Sequence, residues 1–469
     1  MHFPAHASWP AAFPRSFRKQ YPRAVRGEGA WIHDEHGKRY LDVAGSAAVS
    51  FLGHGDRAIA RAMAAQLADI EFAHTSQFAT AVAEDFAREL LEFAGAPFSG
   101  GAVYFTSGGS EAVETALKLA RQFQAESGHD ERYQIVSRHQ SYHGATLGAM
   151  AVSGNLRRRK PYLPMLREFR HINTPYCYRC AYGCDNCAAA HARELEIAIS
   201  ESDGAAAAFI CEPISGATLG AAAPPDGYLQ EIRRICDAHG LLWIADEVMT
   251  GCGRTGRNFA WEHWKTLPTL SLATPASDKG RATVAPDIIV AGKGLAAGYA
   301  PLGAVIASRR VVEAIAVGSG SFIHGLTYNA HPVSVAAGRA VLNRIRELRL
   351  VQAADSNNTG SLAAEFAAAL RTLRDCDFVG DVRGLGLLWG VEFVADRQSK
   401  APFDPSAGFS ARVFEAAQRR GVLVYPMQGC VDGTRGDHLL LAPPAVTLPD
   451  EIRDGVAELR RAIQEVQAS

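Results

Sequence analysis

Lys293 ends the apolar run Ile288-Ile-Val-Ala and is bracketed by Gly292 and Gly294. A second apolar run, Leu241-Leu-Trp-Ile-Ala, ends on the acidic pair Asp246-Glu247. Two short buried strands, one closing on an amine and one on a carboxylate, predict a pocket at strand ends. An amine in a tight apolar site has a lowered pKa and becomes nucleophilic. A carboxylate following an apolar strand is costly unless it has a partner. Pyridoxal phosphate chemistry needs such a pair: an amine for the Schiff base and a carboxylate that keeps the pyridine nitrogen protonated. A lysine snorkelling from a strand end is the plainer reading of Lys293, but it does not account for Asp246, the glycines and the loop described next.

Phe105-Thr-Ser-Gly-Gly-Ser-Glu-Ala runs directly into a helical pattern. Free backbone N–H groups at a helix N-terminus, with glycine permitting close approach, make a phosphate site of Gly109 and Ser110. The alternative is an ordinary capped helix with Ser110 as N-cap. Tyr142, in Ser141-Tyr-His143-Gly, offers a ring that could cover one face of a planar cofactor or simply pack. Glu212, in the Glu-Pro turn after Phe209-Ile-Cys, could add a second carboxylate or lie in a surface turn.

The elements that must position these residues alternate along the chain. Strand-like runs at Val103-Tyr-Phe, Gln134-Ile-Val, Phe209-Ile-Cys, Leu241–Ala245 and Ile288–Ala291 are separated by helical patterns, including 110–126 and 226–239. Such alternation predicts a mainly parallel sheet with helices on both faces, whose ligands collect at the carboxyl ends of the strands. Residues 1–25 read as an extended arm and Trp31–Asp42 as a hairpin. Helices are expected over 57–70, 79–94, 333–350 and 351–375. A smaller α+β unit then follows, with strands at 387–393, 422–425 and 438–441 and helices at 408–420 and 449–466. Residues 265–285 read as a surface insertion.

A chain of 469 residues exceeds one ordinary core. A formal net charge of −1 gives no reason to propose a nucleic-acid or membrane surface, and the basic run Arg157–Lys160 reads as a solvated loop. No stretch approaches the roughly 18 apolar residues of a membrane span. The N-terminus lacks the order of a secretory signal, so the expected compartment is the cytoplasm, with cysteines mostly reduced. Cys177, Cys180, Cys184 and Cys187 form C-x-x-C, three residues, then C-x-x-C. Four thiolates could bind zinc, but ribbon sites separate their knuckles by roughly 15–20 residues. The expectation is a surface loop of reduced or partly disulfide-linked thiols and no metal in the site.

Taken in order, Gly53-His-Gly, the Phe105 loop, Tyr142-His-Gly, Glu212-Pro-Ile, Ala245-Asp-Glu-Val-Met-Thr-Gly-Cys-Gly-Arg-Thr-Gly, the Lys293 run and His324-Gly-Leu-Thr-Tyr-Asn-Ala-His-Pro resemble the class III (omega-type) aminotransferases of pyridoxal phosphate fold type I. The resemblance spans about residues 27–465. It implies an α/β fold with a large domain over 61–332 and a smaller one from both chain ends, 1–60 and 333–469. It implies that Lys293 carries the Schiff base and shuttles the proton, Asp246 pairs the pyridine nitrogen, and Val248 and Tyr142 cover the two ring faces. Gly109 and Ser110 would bind phosphate, Thr327 would reach the phosphate of the neighbouring subunit, and His143 and Glu212 would complete the cofactor site. A homodimer with shared active sites follows from the resemblance. Ala217 stands where the ornithine and 4-aminobutyrate branch carries a gating glutamate, so an amine donor and a keto acid, pyruvate by preference, are the expected substrates in ping-pong chemistry. Ala47, in place of a bulky aromatic, implies a roomier pocket; Phe51 and, as the carboxylate-binding arginine, Arg435 would be its other substrate contacts. A decarboxylase or aminomutase of the same fold is the alternative.

Overall fold

The computed structural model describes residues 10–180, 182–183, 187–265 and 284–468. Among the described residues the strands are, in chain order, β1 (Ala24–Glu28), β2 (Trp31–Asp34), β3 (Arg39–Asp42), β4 (Ala102–Thr106), β5 (Gln134–Arg138), β6 (Arg170–Ile172), β7 (Ala206–Cys211), β8 (Leu242–Asp246), β9 (Ile288–Ala291), β10 (Gly303–Ala307), β11 (Val379–Leu385), β12 (Leu388–Phe393), β13 (Val422–Leu423), β14 (Tyr425–Gln428) and β15 (Asp437–Leu441). Seven of them make the main sheet, in the order β4-β10-β9-β8-β7-β5-β6. Pairings from β6 through β9 are parallel, as the alternation of strands and helices predicts. The exception is β10, which runs antiparallel to both β4 and β9.

Every residue of β7, β8, β9 and β10 is buried. Successive side chains on a strand face opposite ways, and two separate cores result. Phe209, Trp243 and Ile289 pack into one. Ile210, Ile244 and Val290 pack into the other, against the helix Gly109–Glu126. Both faces being covered, the strands read as continuous apolar runs rather than alternating ones. Each such aliphatic side chain contributes about 1.5–3 kcal/mol by leaving water. The charged residues just past the strand ends are thereby held in fixed positions.

A four-stranded sheet, β1-β2-β3-β13, joins the two chain ends, with Val422 and Leu423 lying parallel to Leu41 and Asp42. Another, β11-β12-β15-β14, is antiparallel throughout. The helices Leu362–Arg371, Phe409–Arg419 and Pro449–Gln467 share a third core with these sheets, centred on Phe366, Phe393, Val413 and Leu459.

Several boundaries differ from the sequence expectation. The expected helix over 351–375 is instead a single turn, Leu350–Ala353, then a loop and the helix Leu362–Arg371. The break holds Ser361, whose side chain accepts from Ala364 N and restarts the helix. The strand expected over 422–425 divides between two sheets at Val424. Strand β1 begins inside the expected arm. The insertion expected over 265–285 lies, but for its ends, outside the described residues. Among the described residues no helix is long and apolar enough to cross a membrane.

Candidate active site

Asp246 is the last residue of β8 and Lys293 stands just past the end of its parallel neighbour β9, so the acid and the amine meet at one edge of the sheet. Both line a cavity of about 250 Å³. Lys293 has a backbone φ of 42°. A non-glycine residue in the left-handed region costs about 1–3 kcal/mol, which the packed strand end sustains. Burial pushes the Lys293 amine pKa down, against the opposing pull of Asp246 and then Glu212; the positive charge of Arg158 lowers it further.

Asp246 is buried and doubly held. Its Oδ2 lies 2.7 Å from His143 Nδ1, and its Oδ1 accepts from Val248 N at 3.1 Å. A carboxylate only accepts, so His143 Nδ1 carries the shared proton. His143 Nε2 is buried without a hydrogen-bond partner. Glu212 accepts from Gly216 N at 3.1 Å and from Tyr142 N at 3.4 Å. Burial raises its pKa, and the negative charge of Asp246 adds to the rise against the pull of His143.

The loop after β4 leads into the helix Gly109–Glu126. The first-turn N–H groups of a helix have no intrahelical acceptor, and they carry its positive end. Ser110 is not the N-cap: that position belongs to Gly108, and Ser110 Oγ accepts from Ala145 N at 3.0 Å. A Cβ on Gly109 would stand 2.9 Å from Val248 Cγ1, and one on Gly144 would stand 2.7 Å from Ser110 Oγ. The cradle is therefore as tight as glycine allows.

Gly45, Ser46, Ala47 and Ala48 form a left-handed turn, with φ between 49° and 65°. Asp42 secures it by accepting from Ser46 N at 2.9 Å and from Ser46 Oγ at 2.7 Å. The turn brings Ala47 to the cavity.

The donor set fits pyridoxal phosphate. The cradle of small residues lies at a helix N-terminus, a buried carboxylate shares the cavity with a pKa-lowered amine, and Val248 and Tyr142 line it too.

A family model described as aminotransferase class-III matches residues 14–463. The chain belongs to the class-III aminotransferases. This aminotransferase is 35% identical over 449 residues to the uncharacterized aminotransferase YodT of Bacillus subtilis, across 95% of this chain and 96% of that one. A solved (S)-enantioselective omega-transaminase from Thermomicrobium roseum is 32% identical, with a TM-score of 0.85 over 97% of this chain and 96% of its own. The omega transaminase of Pseudomonas jessenii, solved in complex with PMP, is 29% identical, with a TM-score of 0.86 over 99% of this chain and 97% of its own. The family is pyridoxal-phosphate-dependent and of fold type I, in agreement with the architecture above.

Of the residues singled out in the sequence, the aminotransferase brings Ala47, Gly109, Ser110, Tyr142, His143, Glu212, Asp246, Val248 and Lys293 to one cavity. Three are not among its lining. Phe51 is buried beneath the Arg254 guanidinium, whose carbon stands 4.8 Å from the ring centroid. Thr327 is exposed, in the stretch that follows His324. Arg435 is largely exposed and bound to Asp432 at 2.6 Å. Sequence reasoning missed Arg158, Asn155, Ile214, Met249, Tyr425 and Met427, which also line the cavity. Only Arg158 carries a signal in the sequence, in a basic run whose composition suits a solvated loop.

Of this cluster, Cys177 is exposed, Cys180 half-buried and Cys187 buried. Burial, with the neighbouring Cys177 and Cys180, pushes the Cys187 thiol up to about 12. Cys184 lies outside the described residues.

Proposed function

We propose that this aminotransferase moves an amino group from an amine or ω-amino donor to a keto acid, with pyruvate preferred, in two half-reactions on pyridoxal phosphate. One observation carries the reading: Lys293 and Asp246 leave adjacent parallel strands and face the same cavity, and the N-terminus of the helix Gly109–Glu126 lines it beside them. When bound, pyridoxal phosphate supplies a carbonyl that takes up the donor nitrogen and a ring that receives the electrons released at the donor carbon.

The protein's own groups do the rest. Gly109 and Ser110 present amides and a hydroxyl to the phosphate, and Thr327 of a neighbouring subunit adds its hydroxyl there. Asp246, oriented by His143, keeps the pyridine nitrogen protonated. Val248 and Tyr142 hold the ring between them, and Glu212 borders it. Lys293 Nζ, its pKa lowered by burial, takes the proton from the donor carbon and returns it one position along. Ala217, Ala47 and the apolar wall of Ile214, Met249 and Met427 leave room for a donor's organic group. In the full cycle the donor amine becomes a carbonyl compound and pyruvate becomes alanine, with no net oxidant.

The complex of the Pseudomonas jessenii relative with PMP supports the cofactor assignment. A homodimer goes with the reading, supported by the exposed apolar side chains Ile323 and Tyr328, which flank Thr327 in the chain. So do a cytoplasmic location, supported by the free thiols of Cys236, Cys252 and Cys376, and a division of the chain at 1–60, 61–332 and 333–469, supported by the main sheet lying wholly within the middle segment.

Alanine formation from pyruvate and racemic 1-phenylethylamine is the test. The protein should form alanine, and Lys293→Ala should abolish it. Carbon dioxide release without alanine, or full turnover in the variant, would refute the proposal.

A further inference from the structure

Arg158 sits in the one-turn helix Leu156–Arg159, which Asn155 starts by accepting from Arg158 N at 3.2 Å. Its flanking arginine Arg157 points to Gln428 Oε1 at 2.7 Å. Arg158 itself turns to the cavity, where its guanidinium carbon stands 4.7 Å from the centroid of the Tyr142 ring. Most arginines here are ion-paired, but Arg158 has no carboxylate partner among the described residues. The cavity's own acids are engaged elsewhere, Asp246 with His143 and Val248 N, Glu212 with Gly216 N and Tyr142 N.

The other arginines are poorer candidates for an anion in this site. Arg254 is buried, donating to the backbone oxygens of Ala442 and Pro443. Arg435 is neutralised by Asp432 and does not line the cavity. Arg15 lines its mouth from the N-terminal arm but is exposed to solvent.

A guanidinium presents a planar fork that matches a carboxylate with two parallel hydrogen bonds. Stacking on an aromatic face fixes the plane of that fork and strips part of its hydration. Both conditions are met at Arg158, on the same side of the cavity as Tyr142 and within electrostatic reach of Lys293. Asn155 adds a polar side chain next to it, while Ile214, Met249 and Met427 form an apolar wall.

We infer that Arg158, stacked on Tyr142, is the specificity-determining residue that binds the carboxylate of the keto-acid substrate. This rests on the transaminase reading above and deepens it. The site divides the two half-reactions: a keto acid engages Arg158, whereas an amine without a carboxylate relies on the apolar wall.

The test uses the cofactor-loaded enzyme with Arg158→Met, which keeps the bulk and removes the charge, and Arg158→Lys. Binding of propionate, a carboxylate that cannot react, is read by titration calorimetry. Acceptor choice is read as the ratio of kcat/KM for pyruvate to that for butanal, which lacks a carboxylate. In Arg158→Met both propionate affinity and this ratio should fall by about 10–100-fold, the usual range for a hydrogen-bonded charged group. Arg158→Lys should recover part of each. Unchanged propionate binding and an unchanged ratio in Arg158→Met would overturn the assignment and place the carboxylate elsewhere. An equal loss on pyruvate and butanal, with propionate binding intact, would reduce Arg158 to a support for Tyr142. Wild-type protein that forms no alanine with any amine would instead refute the transaminase reading and with it the keto-acid role, while propionate binding lost in Arg158→Met would still identify Arg158 as a carboxylate-binding residue.

Discussion

Strand β9 has a charged residue at each end, and the two ends are built on opposite principles. Before it, Asp287 is completely buried and closed off by the chain. Its Oδ2 accepts from Arg233 at 2.7 Å and from Trp243 N at 2.9 Å, while Arg233 also meets Asp237 at 2.8 Å. After it, Lys293 has Asp246 and Glu212 for electrostatic company, but the space between them is a cavity. The strand is equally apolar at both ends, so burial alone does not mark a site. What separates them is whether the protein supplies the counter-groups itself. Charges saturated by the chain are structural; charges that border a cavity, with a lysine held at positive φ, are arranged for something that arrives later.

That contrast can be broken by exchanging which property each end controls. Lys293→Ala should lower turnover by at least about 10⁴-fold, since it removes both nucleophile and proton carrier, while the variant still folds. Asp287→Ala should do the reverse. It leaves Arg233 buried and short of a partner and should cost about 3–5 kcal/mol in urea unfolding. A Lys293 variant that unfolds, or an Asp287 variant that is stable but inactive, would erase the distinction. Asp246→Asn is the next largest effect. It keeps the shape but removes the charge opposite the amine, and kcat should fall by about 10²–10³-fold with weakened retention of pyridoxal phosphate. A loss below tenfold in kcat would mean that the carboxylate only orients His143.

The open end was legible in the sequence and the closed end was not. Lys293 and Asp246 announce themselves because each follows an uninterrupted apolar strand, and the Gly108-Gly109-Ser110 loop announces a helix start. Asp287 and Arg233 lie 54 residues apart, and nothing local pairs them. The parallel core of the main sheet follows from alternating strands and helices, but the reversal of β10 depends on a connection whose direction no periodicity records. Arg158 is hidden in the sequence for a similar reason. Within a one-turn helix three consecutive arginines point in different directions, and only the packing around Tyr142 and Gln428 decides which one enters the cavity. His143 had the same ambiguity, being one residue in a motif until the fold set it 2.7 Å from Asp246.

Glu247 sharpens the comparison, because it follows Asp246 directly and belongs to the closed type. Its Oε1 accepts from Trp261 N at 2.8 Å and its Oε2 accepts from the Thr250 hydroxyl, and it does not line the cavity. Burial raises its pKa from 4.5 to about 7, outweighing the hydrogen bonds from Thr250, Ala260 and Trp261 that pull it down. A folded-state pKa above the unfolded one means that the folded protein holds the proton more tightly. The associated stability is therefore fully present below the unfolded pKa and is lost as pH rises through the folded one, a total of about 3 kcal/mol. Glu247→Gln keeps an acceptor for Trp261 N and lets the amide donate to Thr250, with no proton to lose. Relative to the parent, the variant should gain about 1–3 kcal/mol in urea unfolding on going from about pH 5 to about pH 8. Comparing the two proteins cancels every other titrating group, so a difference that stays constant across that range would show that Glu247 ionises normally. Turnover per folded molecule should change less than for Asp246→Asn, because neighbouring carboxylates on one strand end serve different purposes when only one of them borders the cavity.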